Sequence, residues 1–224
     1  MESSYSRETS RSRPLSKKKG GSALVALATA IALLVFTSCA GHTPHSDQAH
    51  VGHDTESFVL QAQEAERSRD YHTARKLYQQ AIDNAGDSTS AAYAAKEMAS
   101  ALSFWGEYEG AMELMLLSLK HREKQAPVWH DLGILRARSG ALPAALTALQ
   151  RAVAIAPKSA RARVTLAALL VKMHEYKRAL HHYRTLLGLK IPAKIERATH
   201  RAIKLLQAEI QSQELRLPPP PTPR

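Results

Sequence analysis

A chain of 224 residues leaves room for one or two domains. With 23% charged and 44% apolar residues it is not a disordered chain, and with only 5% aromatics, its apolar set led by Ala and Leu, it favours close-packed helices over a β-sandwich or barrel. One cysteine excludes an intrachain disulfide framework and a cysteine-based zinc site, while 31 Lys and Arg against 20 Asp and Glu give +11, which points to an anionic partner only if the charge lies on the folded part.

Residues 1–21 are polar and carry Arg7, Arg11, Arg13 and the run Lys17-Lys18-Lys19. Residues 22–38 then read SALVALATAIALLVFTS, without a charge, and Cys39 follows. A basic stretch followed by an apolar one that ends in small residues is an export signal. The apolar stretch lies at the lower limit of length for crossing a bilayer. Phe36-Thr37-Ser38-Cys39 resembles the lipobox of bacterial lipoproteins, with Phe36 in place of the usual aliphatic residue. That resemblance implies a signal peptide over 1–38, cut before Cys39, and diacylglycerol plus palmitate-type acylation at Cys39. Several acyl chains together anchor stably where one holds weakly. Ala40 rather than Asp after the cysteine implies the periplasmic face of the bacterial outer membrane, with inner-membrane anchoring as the alternative. An uncleaved anchor with Cys39 as a small apolar residue, and an ordinary signal cut near Ala40, are the other readings. Loss of 1–38 removes six basic and two acidic residues, leaving the mature chain near +7.

Residues 39–54 have no apolar period, and Gly, Pro, Ser, Thr and Asp mark them as a flexible tether. They hold His42, His45, His50 and His53, but no ligand spacing on a helix, so no metal site is expected.

From residue 55 onward the chain repeats itself. Ala111, Ala145 and Ala179 are 34 apart, as are Tyr108, Leu142 and Tyr176, and Met115, Leu149 and Tyr183. Gly106 and Gly140 keep the step, with His174 next in line. An earlier copy, Tyr71, Ala74, Tyr78 and Ala81, fits after a three-residue slip. The clearest copy, 126–159, carries Trp129-x-x-Leu132-Gly133, then Gly140, Ala145-x-x-x-Leu149, Ala152 and Pro157. This pattern resembles the tetratricopeptide repeat, with Arg136 for the usual Tyr and Leu149 for the usual Phe. Weaker copies occupy 55–88, 92–125 and 160–193. The resemblance implies an all-α, right-handed α-solenoid of about four helix pairs. Small residues belong where helices cross closely, and larger ones such as Trp129, Leu132 and Leu149 fill the gaps between repeats. Pro157 stops a helix because it lacks an N–H and its ring clashes with the preceding turn. One repeat cannot bury its apolar face alone, so the copies must stack.

Residues 194–216 show a helical stripe (Ile195, Ala198, Ala202, Leu205, Leu206, Glu209, Ile210), which suits a terminal capping helix with a polar outer side. Residues 217–224 form a Pro-rich tail. Motifs for acyl transfer, zinc hydrolysis and phosphate or dinucleotide binding are absent from the sequence, so an enzyme is not expected. No cofactor is expected beyond the lipid on Cys39. His181 and His182 are adjacent, cannot share a helix face, and are expected to be solvated.

Charge is unevenly spread. Residues 55–119 hold ten acids and five bases, whereas 158–204 hold twelve bases and two acids. In the repeat family the first helix of each pair lines a concave groove. Carried over by register, that groove presents Tyr93, Lys96, Ser100 and Phe104, then His130, Ile134 and Arg138, then Arg161, Ala168 and Lys172. Cations around a few aromatics suit an acidic peptide or a chain-terminal carboxylate. The carboxylate clamp of chaperone-binding relatives is not reproduced, since Ser100 stands where Asn is wanted and Asp131 where a cation would help. The resemblance implies a scaffold holding an envelope protein, as in pilotins of type IV pilus secretins or adaptors of cell-wall enzymes. The alternative is binding of an anionic polymer or lipid headgroups by a basic patch of Lys177, Arg178, Arg197 and Arg201. Nucleic acid is not expected for an exported chain.

Overall fold

The computed structural model describes residues 24–31 and 51–215. Cys39 and its lipobox, His42, His45, His50 and the tail 217–224 lie outside the described residues. A helical segment α1 (24–31) precedes nine longer helices: α2 (His53–Arg67), α3 (Tyr71–Asp83), α4 (Ser88–Trp105), α5 (Tyr108–His121), α6 (Ala126–Arg138), α7 (Leu142–Ile155), α8 (Ala160–Lys172), α9 (Tyr176–Leu187) and α10 (Ala193–Glu214). Among the described residues there is no strand. No described helix is long and apolar enough to cross a membrane.

Each odd helix turns back on the even one before it, so α2–α3, α4–α5, α6–α7 and α8–α9 form four tightly packed hairpins. The hairpin turn is the same each time. Arg69, Gly106, Gly140 and His174 take positive φ (60°, 89°, 85° and 62°). The next residue's N–H then reaches back to a carbonyl five residues earlier: Asp70 to Ala65, Glu107 to Leu102, Ala141 to Arg136 and Glu175 to Leu170, all at 2.9 Å. This left-handed cap satisfies carbonyls that the helix end would otherwise orphan.

Small residues let the two helices of a hairpin approach. Ala74, Ala111, Ala145 and Ala179 stand at one register position and are all fully buried. Four residues on along the same helix face, Tyr78, Met115, Leu149 and Tyr183 are each buried. At Gly133 the approach is so close that a Cβ would lie 2.7 Å from the Leu149 side chain. Helix starts are marked by side chains: Asp70 accepts from the Thr73 N–H (3.1 Å), Asp87 from those of Thr89 and Ser90 (2.7 and 2.9 Å), and Ser159 from that of Ala162 (3.2 Å).

Two boundaries differ from the composition-based reading. Residues 51–54 belong to the folded unit and not to the tether: the Gly52 N–H donates to Ser90 Oγ (2.8 Å), and α2 begins at His53, with Asp54 and Glu56 in its first turn where the helix dipole favours acids. The three-residue slip between the first two copies is taken up by α4, which has 18 residues against 13 in α6 and α8. Its added first turn is capped by Asp87.

The apolar interior has two centres. One joins α2 to α6 through Val59, Tyr78, Met98, Met115 and Leu132. The other joins α7 to α10 through Leu149, Leu166, Leu170, Tyr183 and Leu206, and it includes Leu24, Ala28 and Ile31 of α1. Thus part of the stretch that reads as an export signal is seated on the last repeats. The capping stripe of α10 is Ile195, Thr199, Ala202 and Leu206. Thr199 is buried because its hydroxyl donates to the Ile195 carbonyl (2.8 Å), while Leu205 lies off the stripe and is 38% exposed.

Candidate partner-binding groove

Among the described residues α2 touches α4 and α6 touches α8, while no two second helices of the hairpins pack on one another to that extent. The first helices therefore line the inside of the curve. Lys96, Phe104, Arg138, Arg161 and Lys172 all stand on these first helices, Lys96 partly buried and the other four exposed.

Phe104, Arg138 and Lys172 recur at one register position of three successive hairpins, and all three are exposed. Phe104 is 82% exposed, an unusual state for a large apolar side chain in a chain with three Phe residues. The Arg138 guanidinium lies 4.6 Å from the centre of the Tyr108 ring and donates to its hydroxyl at 3.0 Å. That stacking holds the cation in place while leaving its edge open to an anion. Arg161 pairs with Asp131 at 3.5 Å.

Tyr93 and Lys96 form the other end of the strip. The Lys96 ammonium sits 5.3 Å over the Tyr93 ring and 2.6 Å from Glu97. Burial, with Glu97 and Glu56 nearby, pushes the Tyr93 phenol up to about 12. It therefore remains a neutral hydrogen-bond donor at physiological pH. Glu97 also accepts from Gln63 (3.3 Å), and Glu66 accepts from the Tyr78 hydroxyl (2.6 Å). The groove is thus acidic on its α2–α4 side and cationic from α6 onward.

His130 is a correction. The register places it in the groove, yet it is 3% exposed. Its ring nitrogens lie 2.8 Å from Asp131 Oδ1 and 3.1 Å from Thr165 Oγ1, so it ties α6 to α8 and does not face a ligand. His182 is a second correction. It is half-buried, and burial first, then His181, Arg163 and Arg178, lower its pKa to about 4. Only His181 is exposed.

The basic patch splits into two. Lys177 pairs with Glu214 at 2.9 Å, and Arg178 pairs with Glu175. Arg197 and Arg201 make no ion pair among the described residues. They lie with Lys194 and Lys204 along the exposed side of α10, opposite its buried stripe. Among the described residues no group of His, Cys, Asp and Glu could hold a metal ion.

The sequence reading missed an aromatic edge at the hairpin turns. The Tyr71 and Trp105 rings lie 5.3 Å apart and tilted by 56°, Arg75 sits 5.4 Å over the Trp105 ring, and Arg75 pairs with Glu107. The signal was present in Tyr71 and Trp105, but nothing in the repeat spacing puts residues of different hairpins in contact.

Residues 136–188 match a family model described as a tetratricopeptide repeat. No curated protein matches the chain. Among solved structures the chain is similar to a tetratricopeptide repeat protein from Parabacteroides merdae, with TM-score 0.62 and 13% identity over 73% of this chain, spanning 64% of that structure's length. It is also similar to MamA AMB-1, with TM-score 0.56, 20% identity and 73% and 86% of the two chains covered. A further MamA structure gives TM-score 0.55 and 18% identity over 76% of this chain and 100% of that one. Identities this low carry the fold alone. With the matched repeat at 136–188, the recurrent turns and the four stacked hairpins, the described residues have the all-α solenoid fold of tetratricopeptide-repeat proteins.

Proposed function

We propose that the chain is a lipid-anchored scaffold of the bacterial envelope that holds a partner protein in its inner groove and helps assemble an envelope machine such as a type IV pilus or secretion system. The observation that carries this reading is the exposed row Phe104, Arg138 and Lys172. An exposed aromatic anchor in register with a cation held by Tyr108 and a second, exposed cation suits an acidic extended segment or a chain-terminal carboxylate. The basic segment before an apolar stretch, ending at Cys39, supports export and acylation, with the solenoid on the periplasmic face of the outer membrane.

The test has two parts. Cys39→Ser should leave an uncleaved or soluble precursor; a mutant found in the membrane at wild-type level with its signal removed refutes lipidation. Cross-linking in the native envelope should capture a protein whose yield falls at least tenfold in Arg138→Glu with Lys172→Glu. An unchanged capture pattern removes the groove.

A second reading is favoured by the stripe Lys194, Arg197, Arg201 and Lys204, which is exposed along α10. Such a stripe fits cell-wall polyanions or lipid headgroups. That binding weakens steeply with salt and is abolished by reversing Arg197 and Arg201, whereas groove binding anchored by Phe104 weakens less with salt and is spared by those reversals.

A further inference from the structure

We infer that 24–31 is a resident plug of the inner face of the last repeat, and that the same face takes an uncharged, aliphatic helix of a partner protein once the plug leaves. The inference rests on the scaffold reading above and adds to the acidic segment held at Arg138 and Lys172 a second, uncharged segment of the same partner, seated on the last repeat.

The plug is amphipathic in a telling way. Leu24, Ala28 and Ile31, at i, i+4 and i+7, are 4%, 3% and 0% exposed, while Ala26, Thr29 and Ala30 face out. The Thr29 hydroxyl donates back to the carbonyls of Val25 and Ala26 (3.0 and 2.9 Å), so the segment brings no unpaired hydroxyl to the contact. Its buried side chains share one apolar cluster with Val164, Leu166, Val171 and Leu206.

The burial of α8 shows what the plug covers. α8 opens the last hairpin, and the helix after that hairpin, α10, packs on α9. A helix at the end of a stack should be less covered than those inside it. Yet α8 buries eight of its thirteen residues, against five of thirteen in α6. The excess includes Val171, which is 1% exposed, whereas Ala137 and Ser103, at the same register in the two preceding hairpins, are only partly buried. α1, whose Leu24, Ala28 and Ile31 belong to the same apolar cluster as Val171, is the cover that the inference assigns to it. Cutting the chain before Cys39 would remove it and leave Val171 and its neighbours as an apolar patch, which needs a new occupant. The fit is for short aliphatic side chains spaced as in the plug, a helix-in-groove mode of recognition.

The test uses the full chain with Ala28→Arg and Ile31→Arg, which charges the plug's buried face and expels it. The probe is a fluorescent peptide of residues 22–36 with a solubilising lysine tail. Expected is saturable binding at least tenfold tighter to this variant than to the wild-type chain, lost when the peptide itself carries the two arginines, and lost when Val171→Asp is added to the variant. Equal affinity for wild type and variant, or equal binding of the charged peptide, overturns the inference without relying on any variant that fails to fold. A wild-type chain that sediments as a dimer, made monomeric by the two arginines, places the plug on a second copy and also overturns it. Should the peptide fail while envelope capture still depends on Arg138 and Lys172, the plug alone falls. Should both fail, the scaffold reading falls with it.

Discussion

The third and fourth hairpins are one repeat period apart and have the same outline, but they are built with different chemistry. In the third, Trp129 donates its indole N–H to the Glu123 carbonyl at 2.8 Å. In the fourth, Arg163 occupies that position and donates to the Pro157 carbonyl, which is the same carbonyl moved by one period. The third turns on Gly140 and the fourth on His174, each with positive φ. The third buries Ala148 completely where the fourth half-buries His182. The repeat thus specifies a contact and a backbone shape at each position, and the side chain is free to vary if it meets both. The fourth hairpin meets them at a cost, because Arg163 Nε and His182 Nδ1 are buried without a hydrogen-bond partner among the described residues.

Breaking the shared geometry should have the largest effect. Gly133→Val would push a branched side chain into Leu149, whose Cγ a mere Cβ would meet at 2.7 Å, and into the Ala145 carbonyl at 3.3 Å. Overpacking here should destabilise by about 3 kcal/mol, lowering the melting temperature by roughly 6–12 °C. A melting curve by circular dichroism that overlays the wild-type curve would show that α6 and α7 are not so close.

Making the fourth hairpin more like the third sharpens the comparison. Arg163→Ala, which orphans the Pro157 carbonyl and opens a gap, should cost about 2 kcal/mol. Arg163→Trp restores the third hairpin's donor and should recover that loss. If both variants melt alike, the carbonyl contact does not matter.

His182 makes the fourth hairpin sensitive to acid. Its folded pKa of about 4 lies below the unfolded value of about 6.5, so the unfolded chain binds the proton first. The stability that it leaves intact above pH 6.5 is lost as the pH falls toward 4, by about 1 kcal/mol after discounting for partial exposure. His182→Ala, the third hairpin's residue, should remove that slope. Denaturation series at neutral pH and at a pH near the folded pKa, on both proteins, test it, and parallel losses would place the acid sensitivity elsewhere.

The smallest effect belongs to the turn. His174→Gly should stabilise by about 0.5 kcal/mol, because glycine takes positive φ without strain but gives up the 2.7 Å contact of His174 Nδ1 with the Tyr176 hydroxyl. Gly140→Ala should destabilise by about 1 kcal/mol for the converse reason. Two changes of the same sign would mean that the turn is not what limits either hairpin.

The scaffold was legible in the sequence because its constraints are local or strictly periodic. Ala111, Ala145 and Ala179 repeat because every hairpin crosses closely at one point, and Gly106 and Gly140 because every hairpin turns on a left-handed residue. Helix caps at Asp70, Asp87 and Ser159 depend only on the next three residues. What register cannot supply is the environment between hairpins. His130 has the position of a groove residue, but Thr165 from the next hairpin and its own neighbour Asp131 take up its ring. Lys177 reads as a free cation until α10 brings Glu214 to it, whereas the Arg178 pair with Glu175, three residues before it, is local. The apolar run at 22–38 reads as an export signal from composition alone. Only the folded chain could show Leu24, Ala28 and Ile31 meeting the far end of the solenoid, since burial there depends on a surface that helices from the opposite end of the sequence build.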